Sequence, residues 1–129
     1  MLITLARVFG ALFIVVGLLG FVPALVPGGN LLGLFPVNAM HNLVHIGLGA
    51  WGVVAGVSLA AAVIYFRGIA IIYGLLAVLG LIPATNTLFG LAPIHGADVV
   101  LHAVLALVAA YFGFWSSSHP SKPAAHAGA

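Results

Sequence analysis

Residues 8–22 of the chain read VFGALFIVVGLLGFV, an apolar run without a charged or polar side chain. Similar runs recur along the 129 residues, of which 64% are hydrophobic and only 3% are charged. A water-soluble domain carries about 25% charged residues, because its surface must face water. The composition therefore predicts an integral membrane protein. It also predicts an all-α fold, since a helix satisfies its own backbone hydrogen bonds in lipid.

Prolines, glycines and a few polar residues divide the chain into four predicted membrane spans. We expect them over residues 8–22, 36–65, 68–82 and 93–115, as a four-helix bundle within a transmembrane domain over residues 1–115. Pro36 suits the first turn of the second helix, because its missing N–H is not needed there. The Ser-, Pro- and His-rich residues 116–129 predict a disordered tail.

The basic residues predict how the helices are oriented. Arg7 precedes the first span, Arg67 follows the second, and Lys122 lies in the tail, three places that four spans put on one side of the membrane. The Pro- and Gly-rich loops on the other side contain no Lys or Arg. By the positive-inside rule, we expect both termini in the cytoplasm and the protein in the plasma membrane.

The two halves of the chain resemble each other, which predicts an internal repeat over about 7–65 and 67–115. Each repeat contributes two spans in the same direction, so a pseudo-two-fold axis is expected along the membrane normal. The first matched pairs share an offset of sixty residues, and the later ones follow a three-residue contraction. They are Arg7 and Arg67, Gly20 and Gly80, Pro23 and Pro83, then Pro36 and Pro93, Asn38 and His95, His41 and Asp98, His45 and His102, and Gly56 and Gly113.

A stripe of polar side chains follows each of the two outer loops. The second span carries Asn38, His41, Asn42 and His45, and the fourth carries His95, Asp98 and His102. Spacings of three and four residues place side chains on one helical face. Ionisable groups inside a bilayer normally face the bundle interior and pair with one another. The repeat therefore predicts His41 opposite Asp98 and His45 opposite His102.

The same residues carry a resemblance to a known family. LFPVNAMHNLVH at residues 34–45, with ADVVLH at residues 97–102, resembles a family of small bacterial membrane proteins known as a domain of unknown function (DUF4383). The resemblance covers nearly the whole chain except the tail, and the Pro-x-Asn-x-x-His-Asn-x-x-His pattern is its most specific part. It implies a four-helix membrane fold and brings no activity or catalytic residue with it.

Three functions remain open for this polar stripe. The first is a non-enzymatic structural or partner-binding bundle, whose helices pair through hydrogen bonds between polar side chains. The second is metal binding, since His41, His45, Asp98 and His102 could hold zinc, copper or iron, or His45 and His102 alone could be the axial ligands of a haem b. The third is proton or small-solute handling, because unperturbed histidine titrates near neutral pH.

Other classes of function lack the residues they need. The chain has no cysteine, so thiolate sites are excluded. Three cations are too sparse for a nucleic-acid surface. Ser58 is expected deep in the second span, away from the His/Asp stripe, so a Ser–His–Asp triad is not expected and the protein is not predicted to be an enzyme. The predicted partners are the lipid bilayer and, through self-association or a second membrane protein, another bundle.

Overall fold

The computed structural model describes residues 1–118. Lys122 and most of the predicted tail lie outside these residues. The described chain folds into four helices, α1 (Leu2–Leu19), α2 (Ala39–Ala55), α3 (Leu59–Leu81) and α4 (Ala97–Ala110), and α4 continues as a π-helical segment over Tyr111–Ser116. The all-α, four-helix fold is thus confirmed. The helix extends past residue 116, where the tail was predicted to begin.

Three of these helices are long and apolar enough to cross a membrane, namely Leu2–Leu19, Leu59–Leu81 and Ala97–Ser116. They make the chain an integral membrane protein by length and composition. The remaining helix, α2, has 17 residues and is about 26 Å long. It packs along α1, and its crossing of the bilayer as a fourth span stays a prediction.

Several helix ends differ from the predicted spans, and an N-cap explains one of these differences. α1 begins at Leu2 rather than at residue 8, so Arg7 lies inside it. The predicted second span, 36–65, was too long: α2 ends at Ala55, and α3 starts at Leu59. Ser58 causes the break, because its side chain accepts a hydrogen bond from the backbone N–H of Ala61 (3.2 Å) as an N-cap. Two predicted placements were therefore wrong. Ser58 lies at the start of α3 and not within a span, and Arg67 lies within α3 and not in a loop.

The two Pro- and Gly-rich loops, which join α1 to α2 and α3 to α4, extend further than predicted. Pro36 belongs to a short antiparallel pair of strands, β1 (Asn30–Leu31) and β2 (Phe35–Pro36), and α2 begins only at Ala39. Pro93 likewise precedes α4 by a short connection that ends at Gly96, whose positive φ of 68° suits glycine. His95 therefore lies before α4. The prediction that it belongs to the helical stripe was wrong.

The helices form two hairpins, α1 with α2 and α3 with α4. Small residues bring the first hairpin together: a Cβ atom placed on Gly10 would lie 2.5 Å from the carbonyl oxygen of Gly49 and equally close to the backbone nitrogen of Val53. Close approach through glycine is a common means of helix association in lipid, where apolar burial gives little advantage.

Corresponding contacts recur in the two hairpins, in agreement with the predicted repeat. Near one end of each hairpin, an arginine lies against a glycine of the other helix. Near the opposite end, a second glycine lies against a larger side chain of the other helix. The matched contacts are Arg7 with Gly56 and Arg67 with Gly113, then Asn42 with Gly20 and Val99 with Gly80. Phe13 and its repeat counterpart Tyr73 stack against each other between the hairpins, with ring centroids 5.5 Å apart and an interplanar angle of 19°. The two repeats therefore contact each other in the core through equivalent residues.

We expect Gly10→Ala to lower the free energy of unfolding by about 1–3 kcal/mol, because the added methyl group meets backbone that cannot yield as a side chain would. Thermal unfolding of the purified protein in detergent, followed by circular dichroism, measures the change. Gly47→Ala is the matched control, since a Cβ on Gly47 of the same hairpin meets nothing within 4 Å. Equal unfolding temperatures for the two variants would contradict the close packing of α1 on α2.

Candidate functional site

Four ionisable residues of the predicted stripe meet at the ends of α2 and α4 that follow the two Pro- and Gly-rich loops. His41, His45, Asp98 and His102 are only 6%, 7%, 2% and 1% exposed. Asp98 is also the only acidic residue of the chain. We call these four residues the His/Asp centre. Its position between the two hairpins agrees with the predicted pairing of the repeats.

The α2 side of the centre is fixed by its connection to the loop before α4. Asn38 caps α2 by accepting a hydrogen bond from the backbone N–H of His41 (2.8 Å) and donates one from Nδ2 to the carbonyl of Leu91 (2.9 Å). The Nδ1 atom of His41 lies 2.8 Å from the carbonyl oxygen of Pro93. A carbonyl can only accept, so Nδ1 carries the hydrogen and Nε2 of a neutral ring keeps its lone pair.

Asp98 lies between two imidazoles. Its Oδ2 atom is 3.8 Å from Nε2 of His41 and 3.7 Å from Nε2 of His102. Both distances exceed those of a hydrogen bond. Asp98 also occupies the first turn of α4, where the helix dipole favours a negative charge. The carboxylate therefore lies beside both histidines and makes no direct hydrogen bond to either ring.

Several buried polar atoms of the centre have no hydrogen-bond partner. They are both ring nitrogens of His45, Nδ1 of His102 and Oδ2 of Asp98. More than nine in ten buried polar groups in proteins are paired, because an unpaired one loses its hydration without compensation. These four atoms are therefore available to contact a further polar or ionic group.

The three histidines have the spacing of metal ligands. His41, His45 and His102 each offer a nitrogen atom, and these atoms all lie within 4.8 Å of one another. Zinc–nitrogen bonds of 2.0–2.1 Å place two ligands of a tetrahedral site about 3.3 Å apart. Rotations of the side chains that shorten the spacing by up to about 1.5 Å would therefore suffice. A histidine whose other nitrogen donates to a backbone carbonyl, as His41 does, is the usual arrangement at metal sites.

Aromatic rings surround the imidazoles. Tyr73 packs edge-on against His102 with ring centroids 4.9 Å apart, and Phe13 lies 5.7 Å from His45. Sequence reasoning missed both residues, because they belong to α1 and α3, which carry no polar stripe. Their equivalence at the repeat offset of sixty is the signal that could have found them.

Three residues of the predicted stripe stand apart from the His/Asp centre. Asn38 is exposed and caps α2, while Asn42 is buried against Gly20 of α1. His95 is half-buried in the connection before α4. Asn38 and Asn42 hold the fold around the centre, and the structure gives none of the three a place among the candidate ligands.

Comparison with known proteins places the chain in a family without giving it a function. The family model described as "Domain of unknown function (DUF4383)" matches residues 4–115. The match spans nearly all of the four helices and the whole His/Asp centre. No curated protein and no solved structure matches the chain. The chain belongs to the DUF4383 family of domains of unknown function.

Proposed function

We propose that this membrane protein binds a divalent transition-metal ion, with His41, His45 and His102 as its ligands. One observation carries the proposal: three imidazoles, each more than nine-tenths buried, offer nitrogen atoms that all lie within 4.8 Å of one another. Neutral imidazole suits zinc, copper, iron and nickel. Bringing three of them together inside an apolar bundle is costly unless a ligand compensates.

The unpaired nitrogens favour metal binding over a purely structural role. Polar side chains that only join helices do so by hydrogen-bonding to one another. His41 meets that expectation through the Pro93 carbonyl. His45 does not, because neither of its ring nitrogens has a partner, and Nδ1 of His102 has none either. Each neutral imidazole has one nitrogen lone pair, and a bound ion would accept that pair from each ring.

Asp98 supplies the charge that such an ion needs. A divalent cation within hydrocarbon is stabilised by a nearby carboxylate. Oδ2 of Asp98, less than 4 Å from Nε2 of both His41 and His102, is placed to serve either as a fourth ligand or as the counter-charge behind the histidines. No other acid in the chain could take this role.

A single ion fits the centre better than a haem b. A haem between His45 and His102 would need a plane free of side chains on both sides of the axial ligands. The ring of His41 lies 4.9 Å from that of His45, and the ring of Tyr73 lies 4.9 Å from that of His102. These rings occupy the space that the macrocycle would need, so the geometry supports the ion.

Proton handling, the third function considered, would require a polar path through the bundle. Tyr65 is the next buried hydroxyl along α3, and it lies eight residues from Tyr73, about 12 Å along the helix. Phe66 and Ile69, both fully buried, lie between them. This apolar barrier favours ion binding at the centre over transfer across the membrane.

We expect protein extracted gently in detergent to carry about one transition-metal ion per chain, measured by elemental analysis, and to show no Soret absorption. The His45→Ala, His102→Ala double variant should lose at least nine-tenths of that metal, because two of three ligands are gone. His95→Ala is the matched control and should keep it, since His95 lies outside the centre. Circular dichroism verifies that each variant is folded. Metal-free wild-type protein, or equal metal in the double variant, would contradict the proposed function.

We propose further that the protein resides in the plasma membrane with both termini in the cytoplasm. The two described cations support this orientation. Arg7 lies against Gly56 near the α2–α3 turn, and Arg67 donates from Nε to the carbonyl of Gly113 (2.8 Å) near the end of the last helix. Both arginines thus lie at the end of the bundle remote from the His/Asp centre. The positive-inside rule directs that end to the cytoplasm and the centre to the outer face.

We expect a fluorescent protein fused after residue 129 to fluoresce, because it folds only in the cytoplasm. We expect alkaline phosphatase inserted at Gly90 to be active, because it is active only on the outer side. Gly90 suits insertion because it lies in an exposed loop with nothing within 4 Å of its would-be Cβ. Paired alkaline phosphatase and fluorescent-protein fusions measure the two locations. The opposite pattern of activities would reverse the orientation.

A further inference from the structure

Two cavities adjoin the His/Asp centre on opposite sides. The first, about 200 Å³, lies between α1, α2 and α4 under the first outer loop. The second, about 130 Å³, lies between α2, α3 and α4 under the second outer loop. His41 and His45 line both cavities. Each cavity therefore ends at the residues proposed to hold the ion.

The two cavities are counterparts under the internal repeat. Val16 of the first cavity corresponds to Leu76 of the second at the offset of sixty residues. In the loops, the offset of fifty-seven relates Leu31 to Leu88 and Val37 to Ile94. A chance void between helices would not recur with matched walls. The cavities are thus a feature of the repeat, with one beneath the loop of each half and both walled by helices of the two hairpins.

The walls and the ends of the cavities differ in chemistry. The walls are mostly aliphatic, whereas the shared end presents buried imidazoles with unpaired nitrogens. An apolar cavity of about 150 Å³ accepts benzene. Volumes of about 130 and 200 Å³ thus suit a molecule of one ring. A lipid tail in either cavity would place a methyl group against the imidazoles and leave their nitrogens unpaired.

Each cavity has an exposed apolar residue in its wall. Val44 lines the second cavity and is 43% exposed, and Leu32 lines the first and is 62% exposed. Val44 lies on α2, and Leu32 lies in the turn between β1 and β2. The exposed apolar side of α2 thus offers a lipid-soluble ligand a route into the second cavity.

We propose that the two cavities bind lipid-soluble single-ring molecules that carry an oxygen atom, of the phenol or quinone class, with the oxygen directed at the centre. With Asp98 as the counter-charge, three histidine ligands leave one position of a tetrahedral ion open. The oxygen of one bound molecule at a time would occupy it, so this contact rests on the proposed metal binding. The fit of the ring to the aliphatic walls does not depend on the ion.

The test uses the full chain in detergent and ¹⁹F NMR with two probes, 4-fluorophenol and its oxygen-free match fluorobenzene. We expect 4-fluorophenol to give two bound signals, distinct from probe in the micelle, in metal-free protein. Leu101→Trp should remove the signal of the first cavity and Val44→Trp that of the second, because these counterpart residues line them. Val100→Trp is the control and should keep both, since Val100 is 66% exposed and lines neither cavity.

Loading the protein with Zn²⁺ separates this inference from the proposed function. Zn²⁺ should tighten binding of 4-fluorophenol at least tenfold in one of the two cavities and leave fluorobenzene unchanged. Absence of bound signals, or signals that neither tryptophan variant removes, would overturn the cavity sites even if the protein binds metal. Equal affinity for both probes in zinc-loaded protein would overturn the oxygen contact. A chain that takes up no Zn²⁺ would overturn that contact together with the proposed function, while the ring sites would still be decided by the metal-free spectra.

Discussion

The structure depends on burying one carboxylate and three imidazoles in a bundle that has almost no other charges to offer. Charged and polar groups in hydrocarbon must find partners within the protein. The DUF4383 chain meets this constraint only in part: the ends of α2 and α4 lie side by side, so that Asp98 faces His41 and His102, but four polar atoms of the centre keep no hydrogen-bond partner. The loops between the helices follow from the same need, because the Pro93 carbonyl satisfies His41.

The internal repeat explains how a short chain brings these ionisable residues together. Each repeat is a helical hairpin with an aromatic residue on its first helix and ionisable residues at the start of its second. Apposing the two hairpins brings Phe13 onto Tyr73 and the ionisable residues onto one another. The halves then diverge: His41 has a counterpart in Asp98, which turns a symmetric pair into an acid beside three bases. The paired cavities retain the symmetry, whereas the centre between them has lost it.

Composition and repeat were sufficient to predict the fold class and the meeting of His41, His45, Asp98 and His102. They were insufficient for the helix ends, because Ser58 reads as one more small residue until its side chain is seen to cap α3. His95 was misplaced for a related reason: the backbone turns at Gly96 before α4 begins. The Pro93 contact, the rings of Phe13 and Tyr73 and the cavities arise from the path of the loops and the docking of hairpins. No local pattern encodes such contacts.

X-ray absorption spectroscopy of the zinc-loaded full chain tests the central claim most directly, because it reports the ligands of the ion and their distances together. The account predicts a first shell of nitrogen and oxygen atoms at about 2.0–2.1 Å with the multiple-scattering pattern of three imidazoles. A shell of oxygen atoms alone, without imidazole scattering, would show that any bound ion lies elsewhere and would contradict a metal centre at His41, His45 and His102.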